Sequence, residues 1–174
     1  NAMAQVQVNK ELRNVKGNKG QDIGSTRHIE IDLRGTDLQY DTADNLAVLP
    51  VNDDTTVMTL CKLMGYDAEE HFTLEPLKKD FKYPFPLPCT VKTVLSSYYD
   101  IHGLPKHSLV SKLLPYTTNE KQRKWLKELI AKDNHSGFKQ YINGNGRSFY
   151  DLVTNELDSC KIPLEDLLHI LPTM

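Results

Sequence analysis

The stretch from Tyr40 to Asn52 is the feature that most constrains the fold of this chain. It reads Tyr-Asp-Thr-Ala-Asp-Asn-Leu-Ala-Val-Leu-Pro-Val-Asn, which predicts a polar turn, a short apolar strand and a stop at the proline and the final asparagine. Before this stretch apolar residues alternate with period two, and after it they recur with the period of an α-helix. We therefore expect a sheet to give way to helices at this point.

Four short strands are predicted in the first third of the chain. Residues 5–9 and 27–33 alternate apolar and polar side chains, and residues 38–40 and 46–49 form short apolar runs. The polar segment 17–24 carries three glycines and predicts a hairpin loop or a connection. Together these patterns predict a small antiparallel sheet, part of a barrel, with one open edge.

Helical patterns follow from Asp53 onward. They cover residues 53–65, 90–99, 108–114, 118–130, 135–142 and 147–157, and a last helix begins at Pro163. Residues 74–90 contain four prolines, which predict an extended loop. Strands followed by helices are typical of the α+β class, or of a β unit followed by a helical unit.

Several helix ends have recognisable signals. Asp53 or Asp54 can cap the first helix, and Gly65 suits the position after its last turn. Thr118 is predicted to cap the fourth helix, and Pro163 is predicted to occupy the first position of the last one.

Composition excludes several classes of function. The formal net charge is −2, so electrostatics give no case for nucleic acid as the main partner. No apolar run is long enough to span a bilayer. The six histidines lack metal-ligand spacing, so no metal site is predicted. Residues 1–3 resemble a cloning remnant before a start methionine and are left out of the fold prediction.

The three cysteines lie far apart, with no Cys-x-x-Cys pair. An odd count argues against a disulfide framework, so a reducing, cytoplasmic location is expected. Cys61 falls on the apolar face of the first predicted helix, which favours a buried packing role.

Two segments could bind an anion. The turn 143–148 combines glycines with Arg147, so free backbone N–H groups and a guanidinium could hold a phosphate, although a plain loop is the alternative. Lys10 and Arg13 could grip an anionic ligand, and a solvated strand end is the alternative. The basic run Lys121–Lys127 is predicted to be mostly a solvated helix face.

No catalytic residue can be assigned from these patterns. The serines at 96, 97, 108 and 111 lie in helical patterns without a nucleophile elbow, so a free-standing hydrolase has no support. Acidic residues cluster around the change from sheet to helix, where helix capping is a better explanation than acid-base catalysis.

The opening segment also carries a resemblance. Tyr40-x-x-Ala43-Asp44-Asn45-x-Ala47-Val48-x-Pro50-x-Asn52 resembles the Tyr-x-x-Gly-Asp-His-x-x-Val-x-Pro-x-Asn signature of the diflavin reductases. Four further segments resemble that family in the same order. Val8–Leu12 resembles its first barrel strand, and His28–Asp32 resembles its His-(Leu/Ile)-Glu-(Leu/Phe)-Asp strand. Pro84–Thr90 with Tyr99–Ile101 resembles the proline stretch and helix of its connecting domain, and Leu164–Pro172 resembles the segment leading to the flavin site.

This resemblance implies a particular fold. A partial antiparallel β-barrel of the FAD-binding, ferredoxin reductase-like type would be followed by an all-helical connecting domain inserted into it. Residues 4–51 would supply the N-terminal barrel strands and residues 52–170 the connecting domain. Residues 171–174 would begin a truncated return toward the barrel.

The resemblance also implies a function. The parent enzyme would pass electrons from NADPH to FAD, then to FMN, and finally to a haem or iron–sulfur acceptor. This piece would position the FAD and FMN domains, would be inactive alone, and would bind no cofactor or only weak FAD. Its partners would be the FMN and NADPH domains of the same parent, which a membrane anchor elsewhere could hold on the cytosolic face. The alternative is a non-catalytic docking module that uses the helices as a surface, and a dimer through the open sheet edge is a further expectation.

Two residues inherit expected roles from the resemblance. Arg147 matches an arginine that contacts FAD, and Lys10 matches an arginine that contacts the NADP phosphate. A lysine is a point charge without the bidentate fork of arginine, which weakens the second role. Ala43 replaces the family glycine, so strain is expected if that position needs a positive φ, and Asn45 replaces the family histidine. The family's catalytic Ser, Cys and Asp belong to segments that this sequence does not include.

Overall fold

The computed structural model describes residues 2–13, 24–75 and 83–174. The chain divides into two compact units, Asn1–Ala47 and Val48–Met174. Most of the predicted loop 17–24, and Pro76 in the predicted loop 74–90, lie outside the described residues.

The first unit contains a two-stranded antiparallel sheet. Strand β1, Gln5–Glu11, pairs with β2, Arg27–Asp32, and the ladder has an irregularity between Val6 and Val8. These two strands confirm the alternating patterns predicted at 5–9 and 27–33. The exposed faces include Val6 and Ile29, which are 54% and 52% accessible.

The other two predicted strands are wrong. Residues 38–40 and 46–49 are not strands, and neither segment pairs with another strand in the parts of the chain that the structure describes. A strand needs partners for its N–H and C=O groups, and an apolar run does not show where those partners are. Tyr40 and Val48 remain 74% and 71% exposed. Within the described residues the sheets do not close into a barrel.

A tight turn lies at the start of the signature segment. The Asp44 N–H donates to the Asp41 carbonyl at 3.1 Å, and the Asp41 N–H donates to the Asp44 carboxylate at 2.8 Å. Ala43 has a φ of 73° within this turn, in the left-handed region that glycine adopts without steric cost. The strain expected from the replacement of the family glycine is therefore present.

The second unit contains seven α-helices among its described residues. They are α1 Asp54–Met64, α2 Val91–Ser97, α3 His107–Ser111, α4 Glu120–Leu129, α5 His135–Lys139, α6 Phe149–Asp151 and α7 Leu164–Ile170. Helices α5 and α6 each continue into a π-helical turn, at Gln140–Gly144 and Leu152–Glu156. Periodicity therefore located the helices but did not distinguish α from π geometry.

This unit is not all-helical, which corrects the prediction of an all-helical connecting domain but leaves the predicted mixture of strands and helices. Strand β3, His71–Phe72, pairs antiparallel with β4, Cys89–Thr90. The end of the predicted proline-rich loop is thus a short strand, and its last residue, Thr90, caps α2 by accepting from the Thr93 N–H at 3.0 Å.

The caps of the first helix are confirmed, and two other predicted ends are shifted. Asp53 accepts from the Thr56 N–H at 3.0 Å, and Gly65 follows α1 with a φ of 83°. Asn119, not Thr118, caps α4, because its side chain accepts from the N–H groups of Lys121 and Gln122 in the first turn of the helix. Pro163 is extended and precedes α7, so it occupies the cap position and not the first helical one.

The helices of this unit share one apolar core. Its largest fully buried side chains are Leu60, Leu95, Ile101, Leu113, Leu126, Ile142, Phe149, Leu152, Leu157, Ile162 and Leu167. Cys61 is 2% accessible in the same cluster, which confirms its predicted packing role.

Asn52 fixes the entry of the chain into the second unit. Its backbone N–H donates to the Ser96 carbonyl at 2.8 Å. Its side-chain amide donates to the carbonyls of Leu95 and Tyr99 at 2.7 and 2.8 Å. These carbonyls belong to residues at the C-terminal end of α2 and just after it. The last carbonyl groups of a helix have no backbone N–H partner within the helix.

The last residues of the unit return to the same place. Thr173 forms an antiparallel bridge with Tyr99, and the Asp100 N–H donates to the Pro172 carbonyl at 2.9 Å. The Met174 N–H donates to the Tyr98 carbonyl at 3.0 Å. The entry and exit of the second unit are therefore bonded to one short segment that follows α2.

Candidate functional site

Arg147 lies in a turn whose backbone is fixed on both sides. Its N–H donates to the Ile142 carbonyl at 2.9 Å, and Gly146 before it has a φ of 62°. Ser148 after it caps α6 through a capping box with Asp151, in which the Ser148 N–H donates to the carboxylate at 2.9 Å and the Asp151 N–H donates to the Ser148 hydroxyl at 3.1 Å. The sequence signal of Asn-Gly-Asn-Gly therefore produces an ordered turn.

The Arg147 side chain has an unsatisfied donor. Its Nε is buried and has no hydrogen-bond partner among the described residues. A buried donor without an acceptor costs about 1–3 kcal/mol, so such a group in a native protein calls for an explanation. An anionic oxygen supplied by a ligand would satisfy it. The donor set thus fits a phosphate or another acceptor of a bound flavin nucleotide.

An aromatic cluster supports the Arg147 guanidinium. The guanidinium carbon lies 5.9 Å from the centroid of the Tyr141 ring. The Tyr141 hydroxyl donates to the Glu156 carboxylate at 2.6 Å, and the Trp125 ring meets Tyr141 edge-on at 5.4 Å. Burial, followed by the hydrogen bond to Glu156, raises the pKa of Tyr141 to about 12. The phenol therefore stays protonated at neutral pH and remains a donor.

A carboxylate in the same turn is committed to helix capping. Hydrogen bonding from the Ser148 hydroxyl, with smaller effects from its backbone and from Arg147, lowers the pKa of Asp151 below its ordinary value. On the other side of the turn, the Tyr150 ring lies 5.6 Å from the ring of His102.

Lys10 belongs to the first unit, whereas the Arg147 turn belongs to the second. It is an exposed residue of β1 opposite His28 in the ladder, so the predicted position after the first strand is shifted into the strand. Its neighbour Glu11 has a pKa lowered to about 2, first by the Ser25 hydroxyl and then by backbone N–H groups. The structure does not place Lys10 and Arg147 within one compact unit.

The basic run on α4 is largely solvated, as predicted. Lys121, Lys124 and Lys127 are exposed on one face. Arg123 differs, because its guanidinium donates to the carbonyls of Leu114 and Thr117 at 3.0 Å each and so holds the preceding turn.

Sequence patterns did not identify Tyr141 and Glu156 as parts of the site. Glu156 is distant from Arg147 in sequence, and no motif joins the two. A signal was nevertheless available, because an aromatic residue and an acidic residue flank the glycine-rich turn on adjoining helical patterns. Only the packing of the two π-helical turns brings their side chains together.

The described part of the chain contains neither a cluster of metal-binding side chains nor a helix that could cross a membrane. No group of three or more His, Cys, Asp or Glu side chains is arranged to hold a metal ion among residues 2–13, 24–75 and 83–174. Over the same residues, no helix combines the length and the apolar character that crossing a membrane requires.

Known proteins resemble this chain along its whole length. Residues 1–174 match the sequence model of the family described as FAD binding domain. NADPH–cytochrome P-450 reductase of Musca domestica is 29% identical over 176 residues, which cover 99% of this chain and 25% of that protein. The Homo sapiens protein of the same name is 27% identical over 84% of this chain and 22% of its own length.

A second kind of relative points to the same group. NADPH-dependent diflavin oxidoreductase 1 of Danio rerio is 28% identical over 131 residues, which cover 74% of this chain and 22% of that protein. The chain thus spans about a quarter of the length of the curated relatives that it matches. The chain belongs to the FAD binding domain family, within the diflavin reductases.

Proposed function

We propose that this chain is part of an NADPH-dependent diflavin oxidoreductase, which passes electrons from NADPH to FAD, then to FMN and on to a haem or iron–sulfur acceptor. The observation that carries the proposal is the match of the whole chain to the FAD binding domain family. The names of the relatives, which contain NADPH, cytochrome P-450 and diflavin, support the choice of electron donor and of flavins.

In this proposal the two units have different roles. The sheet of β1 and β2 contributes strands to the FAD-binding barrel, within residues 4–51. Residues 52–170 serve as the connecting domain that sets the spacing of the FAD and FMN domains, and residues 171–174 lead back toward the barrel. The exposed apolar side chains on β1 and β2 support the first role, because a barrel strand needs neighbours to cover such a face.

The residues of this chain would bind and orient the cofactors. When bound, FAD supplies the hydride and single-electron chemistry, which protein side chains do not provide. Arg147 would donate from Nε to an anionic or carbonyl oxygen of FAD, and its positive charge would offset the charge of the phosphates. Lys10 would contribute a point charge toward the NADP phosphate.

Binding of FAD tests the role of Arg147. Purified chain is titrated with FAD, and the emission of Trp125, the single tryptophan, is followed because it lies beside Tyr141. We expect weak FAD binding or none for the chain alone. In the longer gene product that contains it, we expect Arg147→Met to weaken FAD binding about tenfold or more, because the variant loses one charge-assisted hydrogen bond. Arg34→Met is the matched control, since Arg34 is an exposed arginine that pairs with Asp32.

Activity tests the rest of the proposal. The chain alone should not reduce cytochrome c with NADPH, whereas the longer gene product should. Stoichiometric FAD in the purified chain would overturn the expectation of weak binding, and NADPH-driven reduction by the chain would overturn its inactivity. A longer gene product without flavin would favour the docking-module alternative.

A further inference from the structure

Arg147 lies over an aromatic ring and has a donor without a partner. The guanidinium carbon is 5.9 Å from the centroid of the Tyr141 ring. Such a cation–π contact uses the positive charge of the guanidinium and supplies no oxygen acceptor to its N–H groups. Nε is one of these donors and is buried without a partner among the described residues.

Tyr141 is itself held from two sides. Its hydroxyl donates to Glu156 at 2.6 Å, and Trp125 of α4 meets its ring at an interplanar angle of 73°. The three residues come from three different helical segments, so the ring cannot turn without disturbing the contacts of the others. It therefore offers Arg147 a fixed plane.

The positive charge of Arg147 interacts with an aromatic ring but forms no ion pair with a carboxylate of the described residues. Among the residues that the structure describes, no carboxylate lies within ion-pair distance of Arg147. The nearby Glu156 accepts the Tyr141 hydroxyl, and Asp151 accepts from the Ser148 N–H and hydroxyl. A ring attracts a cation through its quadrupole and adds no opposite charge. Arg147 lowers the pKa of Asp151 through longer-range electrostatics without forming an ion pair with it, so its charge can still interact with an anion.

We propose that Tyr141 is a positioning residue, which holds the Arg147 guanidinium in one orientation before FAD arrives. This inference rests on the proposed contact between Arg147 and FAD. It adds that the aromatic ring, and not the hydroxyl, acts on Arg147, and that the contact with Trp125 suffices to hold the ring. Orienting a donor in advance lowers the cost of ordering it when the ligand binds.

A double-mutant cycle on the chain without ligand tests this positioning. Urea unfolding followed by Trp125 emission gives the unfolding equilibrium constant of wild type, Arg147→Met, Tyr141→Leu and the double variant. We expect the effect of Arg147→Met to differ about two- to fivefold between the wild-type and Tyr141→Leu backgrounds, the size of a partly exposed cation–π contact. In the Tyr141→Phe background, which keeps the ring, the effect should match wild type.

The cycle separates positioning from simple packing. If Tyr141 only fills space, Arg147→Met has the same effect in both backgrounds, and the proposal is overturned. Tyr150→Leu is the matched control, because Tyr150 is a partly buried tyrosine that contacts His102 and should show no coupling to Arg147.

FAD affinity in the longer gene product distinguishes the two proposals. We expect Tyr141→Leu to weaken FAD binding about two- to fivefold and Tyr141→Phe to restore it. If Arg147→Met weakens binding and Tyr141→Leu does not, the positioning role fails while the proposed function stands. If Arg147→Met leaves FAD affinity unchanged, the FAD contact of the proposed function fails, and the positioning role falls with it.

Discussion

Replacing Asn52 with alanine should destabilise the second unit by about 2–6 kcal/mol. The Asn52 side chain is 9% accessible, and its amide donates to the carbonyls of Leu95 and Tyr99 at 2.7 and 2.8 Å. Alanine removes both donors and leaves two carbonyls at the end of α2 to find other partners. A buried polar group that loses its partner costs about 1–3 kcal/mol, so two of them give the stated range.

The assay is urea unfolding followed by Trp125 emission and by circular dichroism. Both report on the second unit, and a lower midpoint with an unchanged slope would show a loss of stability in the folded state. Asn52→Asp should lose at least as much at neutral pH, because a carboxylate has no hydrogen to donate.

Asn155→Ala serves as the control, since Asn155 is an exposed residue of a helical turn. Exposed substitutions of this kind usually change stability by no more than about 0.5 kcal/mol. If Asn52→Ala and Asn155→Ala unfold at the same urea concentration, the two hydrogen bonds contribute nothing measurable, and the argument that Asn52 holds the end of α2 is refuted.

Three further substitutions are expected to change the stability of the folded chain in a definite direction. Ala43→Gly should stabilise the first unit by about 0.5–1 kcal/mol in thermal unfolding, because Ala43 has a φ of 73°, and a lower midpoint would contradict this. Gly65→Ala should destabilise α1 by about 1 kcal/mol for the same reason, at a φ of 83°, and no change would show that the backbone relaxes there. The lowered pKa of Glu11, about 2 against an ordinary 4.5, means that its stabilising effect is complete above pH 4.5 and is lost as the pH falls toward 2. Glu11→Gln should remove that part of the acid sensitivity, as measured by dichroism, and an identical acid transition would count against it.

Local patterns predicted the helices of the second unit well. The reason is that the residues which cap and line a helix are close to it in sequence, as Asp53 and Gly65 show for α1. The same logic located the glycine-rich turn that contains Arg147. The resemblance to the diflavin reductases added the prediction of a positive φ at Ala43, which no local sequence pattern indicates.

Predictions failed where the deciding contact lies far away in the chain. Residues 38–40 and 46–49 have apolar runs, but strand formation depends on partners that no local pattern reveals. Tyr141 and Glu156 meet through a hydrogen bond between two separate helical segments. Thr118 is the predicted cap of α4 and its neighbour Asn119 is the observed one, because the turn before α4 decides which side chain faces the free N–H groups.

Asn52 and Thr173 both bond to the end of α2 and the residues just after it, which has a topological consequence. Because residues near its two ends bond to the same short stretch of chain, the second unit can be added to a host sheet or removed from it without moving the host strands far apart. Domains with adjacent ends tolerate insertion and permutation for this reason. Grafting residues 52–173 into a surface loop of an unrelated protein is therefore a practical way to obtain the unit as a portable module.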